Sequence, residues 1–265
     1  MKTNTRITSI LNATNLDSSI TGIPTFDLSE LNVAPYLDFT IPANLRLGHV
    51  VEKIVAELIK NSNTYNLLFE NIQIIEEKRT IGELDFIIEQ VTSKQVLHLE
   101  LAYKFYLFDP TISREPLNNW IGPNRNDSLI EKLEKLKTKQ FPLLFHELTK
   151  SVLNTIAIEK VSQVLCLMVS LYIPFEYKDK FSSAYQNGIK GYYLNLELFI
   201  NQHNKNKTYY LPTKKDWGND PADHEMWHEL DSIEQNVLVH LQEKQASLCW
   251  QNENGKASQY FIVWW

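Results

Sequence analysis

The stretch Leu97–Leu107, LHLELAYKFYL, alternates along its whole length, and its reading decides the fold. Odd positions hold Leu97, Leu99, Leu101, Tyr103, Phe105 and Leu107, while even positions hold His98, Glu100, Ala102, Lys104 and Tyr106. Side chains of a strand point alternately to opposite faces, so the odd set is expected in a core and the even set on the other surface, beneath a cleft or loop. That second surface carries an acid and a base four residues apart.

The neighbouring segments extend the pattern. IQIIEEK (72–78) and GELDFIIEQ (82–90) come before it, separated by RTI, and short polar turns between alternating runs predict an antiparallel three-stranded meander. Upstream, Leu47, Val51, Ile54 and Leu58 recur at helical spacing, with Val50 and Val55 widening the stripe, so a helix is expected from Ala43. Gly48 lies inside it at a cost of ~1 kcal/mol relative to Ala, which points to close packing there. Downstream of the opening stretch, DPTISREPLNNWIGPNRND (109–127) is a long loop with three prolines. Ser128 with Glu131 makes a capping box for a helix whose apolar positions Leu129, Leu133 and Leu136 lead to Gln140, a polar interruption of the buried side. VLCLMVSLYI (164–173) is apolar without alternation, as a central strand covered on both faces would be. GYYLNLEL (191–198), TYYLP (208–212) and YFIVWW (260–265) are further strands, and a helix is expected from about Ala222 to Gln245.

This order predicts an α/β protein with a mixed sheet: an arm over residues 1–42, then one domain over 43–265, its core about 43–173 and a C-terminal elaboration of strands and helix over 174–265. The composition, 43% hydrophobic with 8 Gly and 10 Pro in 265 residues, is that of a globular chain and excludes disordered and fibrous classes. A formal net charge of −6 gives no global pull toward nucleic acid or anionic membrane, so a polyanion partner would need a local basic patch. Cys166, inside an apolar run, is expected as a buried free thiol, which suits a reducing compartment. No uncharged run approaches the ~20 residues that a membrane helix needs, so a soluble cytoplasmic protein without a membrane partner is expected.

On the strand before the opening stretch, Leu84, Phe86 and Ile88 form the apolar face, and Glu83, Asp85, Ile87 and Glu89 point the other way. Asp85 and Glu100 are therefore expected to converge from adjacent strands. Two carboxylates so close repel one another unless a cation lies between them, and hard oxygen donors suit Mg²⁺ or Mn²⁺. Such an ion polarises a phosphodiester and lowers the pKa of a bound water, and a nearby ammonium orients that water or neutralises phosphate charge. The same polar face on a half-exposed strand is also ordinary solvent-facing pattern.

GELDF followed by HLELAYKFYL resembles the PD-(D/E)xK phosphodiesterase superfamily, whose restriction-endonuclease-like αβββαβ core would cover roughly residues 43–173. More narrowly, LGHVVE, ELDF, LELAYKFYL and WIGPNR, with a lysine-rich helix ending in Gln, resemble an uncharacterised bacterial member family, the domain of unknown function DUF 1853. The superfamily resemblance implies a Mg²⁺-dependent nuclease in which Asp85 and Glu100 bind the metal, Lys104 assists the water, and Glu52 and Gln140 support them, with nucleic acid, DNA in the first place, as partner. Its usual lysine stands two residues after the acid, where this chain has Ala102; Lys104 keeps the same face but starts ~7 Å further along. The alternative is a non-catalytic nuclease-fold module for binding or assembly, which fits the acidic charge and the shifted lysine.

Other residues compete for function. HEMWH (224–228) matches the HExxH signature in which two histidines one helical turn apart grip Zn²⁺ while Glu acts as base, so His224, Glu225 and His228 raise a zinc-peptidase reading. On a helical wheel, however, both histidines fall opposite the stripe Met226, Leu230, Ile233, Val237 and Leu241, where solvent-facing residues belong. Trp120, Asn124 and Arg125 of the long loop are candidates to bind substrate, Arg125 as a phosphate clamp; an exposed loop with a packed Trp explains them equally. Lys205, Lys207, Lys214 and Lys215 interleaved with Tyr209, Tyr210 and Trp217 suit phosphates and stacked bases, or else an exposed hairpin with a buried tyrosine face.

Overall fold

The computed structural model describes residues 3–33, 39–42, 44–178 and 183–265; the expected boundary at Ala43 lies outside them. Helix α1 (Thr3–Leu11) comes first, then α2 (Leu47–Lys60), strands β1 (Tyr65–Glu76), β2 (Arg79–Gln90) and β3 (Val96–Phe108), helices α3 (Leu129–Lys135) and α4 (Glu147–Val152), and strand β4 (Ser162–Pro174). The remainder adds β5 (Ile189–Asn195), α5 (Leu196–Asn201), β6 (Lys207–Tyr210), α6 (Leu230–Gln242), β7 (Ser247–Glu253) and β8 (Lys256–Val263). With the short strands Thr14–Asn15 and Trp120–Ile121 these make a ten-stranded mixed sheet in the order β1-β2-β3-β4-β5-β8-β7-β6. Pairing is antiparallel through β1, β2 and β3, parallel for β4 with β5 and β5 with β8, and antiparallel again through β8, β7 and β6. Among the described residues no helix is long and apolar enough to cross a membrane.

By compactness the chain divides into two units: Met1–Leu11, Asn15–Tyr103 and Glu131–Met168 form the first, and Asn12–Thr14, Lys104–Ile130 and Val169–Trp265 the second. In the first unit, the stripe of α2 buries Val50, Val51, Ile54, Val55, Leu58 and Ile59. Gly48 is exposed, and a Cβ there would meet nothing nearer than Glu52 Oε1 at 3.9 Å, so the close packing expected of it is absent. Ile72 and Ile74 of β1, Leu84 and Ile87 of β2, and Leu143, Leu144 and Leu153 cluster in a core. β1 begins seven residues before the expected IQIIEEK, because register shifts at Leu67/Phe69 and Ile74/Ile75 break the period-2 pattern by which a strand is read.

The N-terminal segment, expected as an arm with one helical turn, is built into this unit. α1 spans nine residues, and Ile7, Ile10, Leu16, Phe26 and Leu31 are buried. Its order comes from main-chain pairing with β4: Leu16 N–H donates to the Leu167 carbonyl and Phe26 N–H to that of Leu165, both at 2.9 Å. The Asn15 side chain imitates a strand, accepting from Leu167 N–H at 2.9 Å and donating to the Phe26 carbonyl at 2.8 Å.

In the second unit the backbones of β5 and β8 approach so closely at Gly191 that a Cβ there would lie 2.2 Å from the Gln259 carbonyl oxygen. Leu194, Phe199, Tyr209, Leu230, Ile233, Val237 and Cys249 form its core. Three expectations are corrected here. The tail of GYYLNLEL is helical, since Asn195 ends the strand and caps α5 by accepting from Leu198 N–H at 2.8 Å. SLCWQNE is strand β7, paired with β8 and β6, and was not anticipated. α6 starts at Leu230 rather than near Ala222, because His228 exchanges main-chain hydrogen bonds with Tyr209 at 2.7 and 2.8 Å and so keeps the preceding residues out of the helix.

Candidate metal centre

Asp85 stands on β2 and Glu100 on β3. The antiparallel pairing runs from Glu89 with Val96 to Phe86 with Leu99, so Asp85 and Glu100 are the first residues beyond it on their strands. Main chain and side chain interlock there: Leu101 N–H donates to Asp85 Oδ2 at 2.7 Å, and Asp85 N–H donates to the Glu100 carboxylate. At His98 and Glu100 the even face of β3 is wholly covered, so the ordinary solvent-facing pattern does not describe it there. Burial, followed by the charge of Glu100 across the ladder, pushes Asp85 up to about 8. Burial likewise pushes Glu100 up to about 7, with the charge of Lys132 as the chief opposing influence.

Glu100 is served by donors on both oxygens. Gln140 Nε2 donates to Oε2 at 2.6 Å and His98 Nε2 to Oε1 at 2.9 Å. Burial holds the His98 imidazole down at about 4, hence neutral, so a proton on Nε2 leaves Nδ1 to accept from Gln163 Nε2 at 3.2 Å. Gln163 also donates to the Phe141 carbonyl at 2.7 Å, which fixes its own orientation. Hydrogen bonds to a charged group contribute about 1.5–3 kcal/mol each, enough to hold this carboxylate in one rotamer.

Gln140 reaches the site because the helix after β3 is not uniform. α3 passes at Leu136–Gln140 into a π turn, followed by one α turn at Phe141–Leu143. An α-helix turns ~100° per residue, so positions seven apart nearly eclipse, whereas the extra residue of a π turn makes it eight. Lys132 and Gln140 thereby share a face, and Lys132 Nζ donates to Gln140 Oε1 at 2.9 Å. The ammonium, the amide and the Glu100 carboxylate form one chain, and the charge of Lys132 acts on Asp85 as well.

The expected site residues separate into two groups. Asp85, Glu100 and Gln140 come together in the first unit, and Glu52 of α2 is near enough for its charge to raise Asp85, although its carboxylate is engaged by His49 Nδ1 at 2.9 Å. Lys104, Trp120, Asn124 and Arg125 belong to the second unit and have other partners there. Lys104 Nζ donates to Asp127 Oδ2 at 2.8 Å. Trp120 is fully buried, its ring 5.0 Å from Phe108 and 5.2 Å from Tyr185. Asn124 Oδ1 accepts from Ala246 N–H at 2.9 Å, while Arg125 donates to Asp109 Oδ2 at 2.9 Å and lies over the Trp265 ring at 4.5 Å. Reading the residues did not single out Lys132, His98 as a partner of Glu100, or Gln163; the i,i+8 pair Lys132/Gln140 is a signal only to a reader who already knows of the π turn.

The histidine motif is corrected. His224 to His228 are not helical, so the one-turn spacing that would aim both imidazoles at one ion is absent. His224 instead stacks against Tyr210 at 3.8 Å, and its Nε2 bonds the Met226 carbonyl at 2.7 Å. In the lysine and tyrosine segment, Tyr209 and Trp217 are buried, Tyr210 is half-buried, and Lys207 is buried with Nζ on the Gln202 carbonyl at 2.6 Å. Among the described residues no group of three or more His, Cys, Asp or Glu side chains is arranged to hold a metal ion. Asp85 and Glu100 are the residues that could hold a divalent cation, since Mg²⁺ characteristically takes one or two carboxylates and fills its shell with water.

The sequence model of one protein family, described as Domain of unknown function (DUF1853), matches residues 8–263. No curated protein and no solved structure matches the chain.

Proposed function

The chain belongs to the DUF1853 family, and from that premise we propose that it is a metal-dependent phosphodiesterase of the PD-(D/E)xK type that hydrolyses nucleic acid. One observation carries the proposal: Asp85 and Glu100 are the first residues past the paired ladder on adjacent strands, near enough for the charge of Glu100 to raise Asp85. The succession of α2, β1, β2, β3, then α3 and α4, then β4 supports it, since with one helix more before β4 it follows the αβββαβ order that the resemblance implies for the superfamily core.

Asp85 and Glu100 would hold Mg²⁺ or Mn²⁺. When bound, such an ion lowers the pKa of water and polarises a phosphoryl oxygen. Gln140 and His98 keep Glu100 pointed at the site, so that no side-chain entropy is lost when a substrate arrives. Hydrolysis consumes one water: its oxygen bonds to phosphorus, one ester P–O bond breaks, a water proton leaves to solvent and the departing alkoxide takes a proton from solvent.

Purified protein with Mg²⁺ or Mn²⁺ is expected to cut at least one of double-stranded DNA, single-stranded DNA and RNA, and Glu100→Gln to slow cutting about 100-fold or more. Intact substrates throughout, or undiminished cutting by the variant, would refute the proposal. A second reading, a nuclease-fold module for binding or assembly without catalysis, is favoured by the engagement of Lys104 with Asp127. Calorimetry separates the two: Mn²⁺ uptake that needs Asp85 and Glu100 supports the first, and a stable nucleic-acid or protein complex without metal uptake the second.

A further inference from the structure

Resting on the hydrolytic reading above, we propose that Lys132, carried by α3, is the cation of this site in place of the strand lysine Lys104, and that it serves as counter-charge to Asp85 and Glu100 until a divalent ion displaces it in that role. Three observations lead there. Lys132 is linked to Glu100 through a single amide, by contacts of 2.9 Å and 2.6 Å. Its charge acts on both carboxyls, whereas the ammonium of Lys104 has a carboxylate of its own, Asp127, at 2.8 Å. The π turn is the third: it sets Lys132 and Gln140 on one face, and a helix deviation of this kind persists where it serves a site.

Once an ion sits between the acids, attraction between them and Lys132 is largely satisfied by that ion. The ammonium then faces the next negative group to arrive, an oxygen of the scissile phosphodiester. It exchanges no proton with the substrate. Its contribution is charge held in position, the type of effect that depends on preorganisation.

The test uses the full chain and four variants, Lys132→Gln, Lys132→Arg, Lys104→Gln and Asp85→Asn, with melting temperature and DNA cleavage as readouts. Without metal, Lys132→Gln is expected to melt about 3–6 °C below wild type, and Lys132→Arg and Lys104→Gln within about 2 °C of it. Saturating Mn²⁺ alone is expected to bring Lys132→Gln back to within about 2 °C of metal-loaded wild type, which loss of mere packing would not allow. With Mg²⁺, Lys132→Gln is expected to cut about 100-fold more slowly while Lys104→Gln stays within about threefold. A Lys132→Gln deficit that Mn²⁺ leaves untouched, or an equal deficit in Lys104→Gln, overturns the assignment. Restoration by Mn²⁺ with no cleavage by any form upholds the counter-charge and overturns the hydrolytic reading instead. Mn²⁺ that stabilises wild type and Asp85→Asn equally removes the metal site and, with it, this inference.

Discussion

At the scale of single residues, Asp85 makes the sharpest claim. Its carboxyl, ordinarily near 3.8, stands at about 8 in the folded protein, and that of Glu100, ordinarily near 4.5, at about 7. Between these limits the folded state holds protons that the unfolded chain has released, so stability falls as pH rises from the unfolded values through the folded ones. The metal-free protein is therefore expected to melt progressively lower between pH 5 and pH 8, by about 2–6 °C in total, as a thermal scan at fixed ionic strength reads directly. Asp85→Asn keeps an acceptor for Leu101 N–H while removing one charge. It is expected to stabilise the metal-free protein at pH 8 by about 1–3 kcal/mol and to flatten the pH dependence. These two acids were legible because strand periodicity assigns faces without further information. Lys132 was not, since its place depends on a helix irregularity that no residue type announces. Nor were the contacts of Asn124 with Ala246 and of Arg125 with Trp265, each more than a hundred residues away.

At the scale of elements, the π turn at Leu136–Gln140 sets the rotation of everything after it. Inserting one alanine after Thr138, an exposed residue of that turn, would add ~100° to the rotation and swing Gln140 away from Glu100. In the intact chain Gln140→Leu is expected to lower the melting temperature by about 3 °C, whereas in the insertion background it should change it by less than about 1 °C. A full 3 °C loss in both backgrounds would show that the turn does not position the amide. Gly191 tests a different junction: Gly191→Ala pushes a methyl to 2.2 Å from the Gln259 carbonyl, and the parallel pairing of β5 with β8 is expected to weaken by about 2 kcal/mol or more, measured by urea unfolding. Helix α6 illustrates what the periodicity hid. The stripe from Leu230 to Val237 is helical as read, but its extension back to Met226 fails because the main chain of His228 is already committed to Tyr209.

At the scale of the whole molecule, each compact unit holds one cysteine, Cys166 in the first and Cys249 in the second, and both are free and fully buried. Burial raises both thiols far above their ordinary range, so the reactive thiolate is scarce as well as inaccessible. The native protein is expected to label negligibly with a thiol reagent over minutes and completely in denaturant. With Cys249→Ala or Cys166→Ala, the remaining thiol reports the opening of one unit alone, and labelling of either one within seconds under native conditions would contradict the packing described. The mixed α/β class was legible from the succession of patterns, whereas the docking of the N-terminal segment was not. Asn15 does the work of a strand through its side chain, and no periodicity records that.

The extra residue that makes the π turn also has a meaning for comparison between relatives. A relative whose segment runs as plain α-helix brings the lysine and the glutamine to one face at a separation of seven residues, not eight. Such a chain must either show a one-position gap just ahead of the glutamine or lose that amide. Aligned family members should therefore fall into two classes at this column, separable from sequence alone.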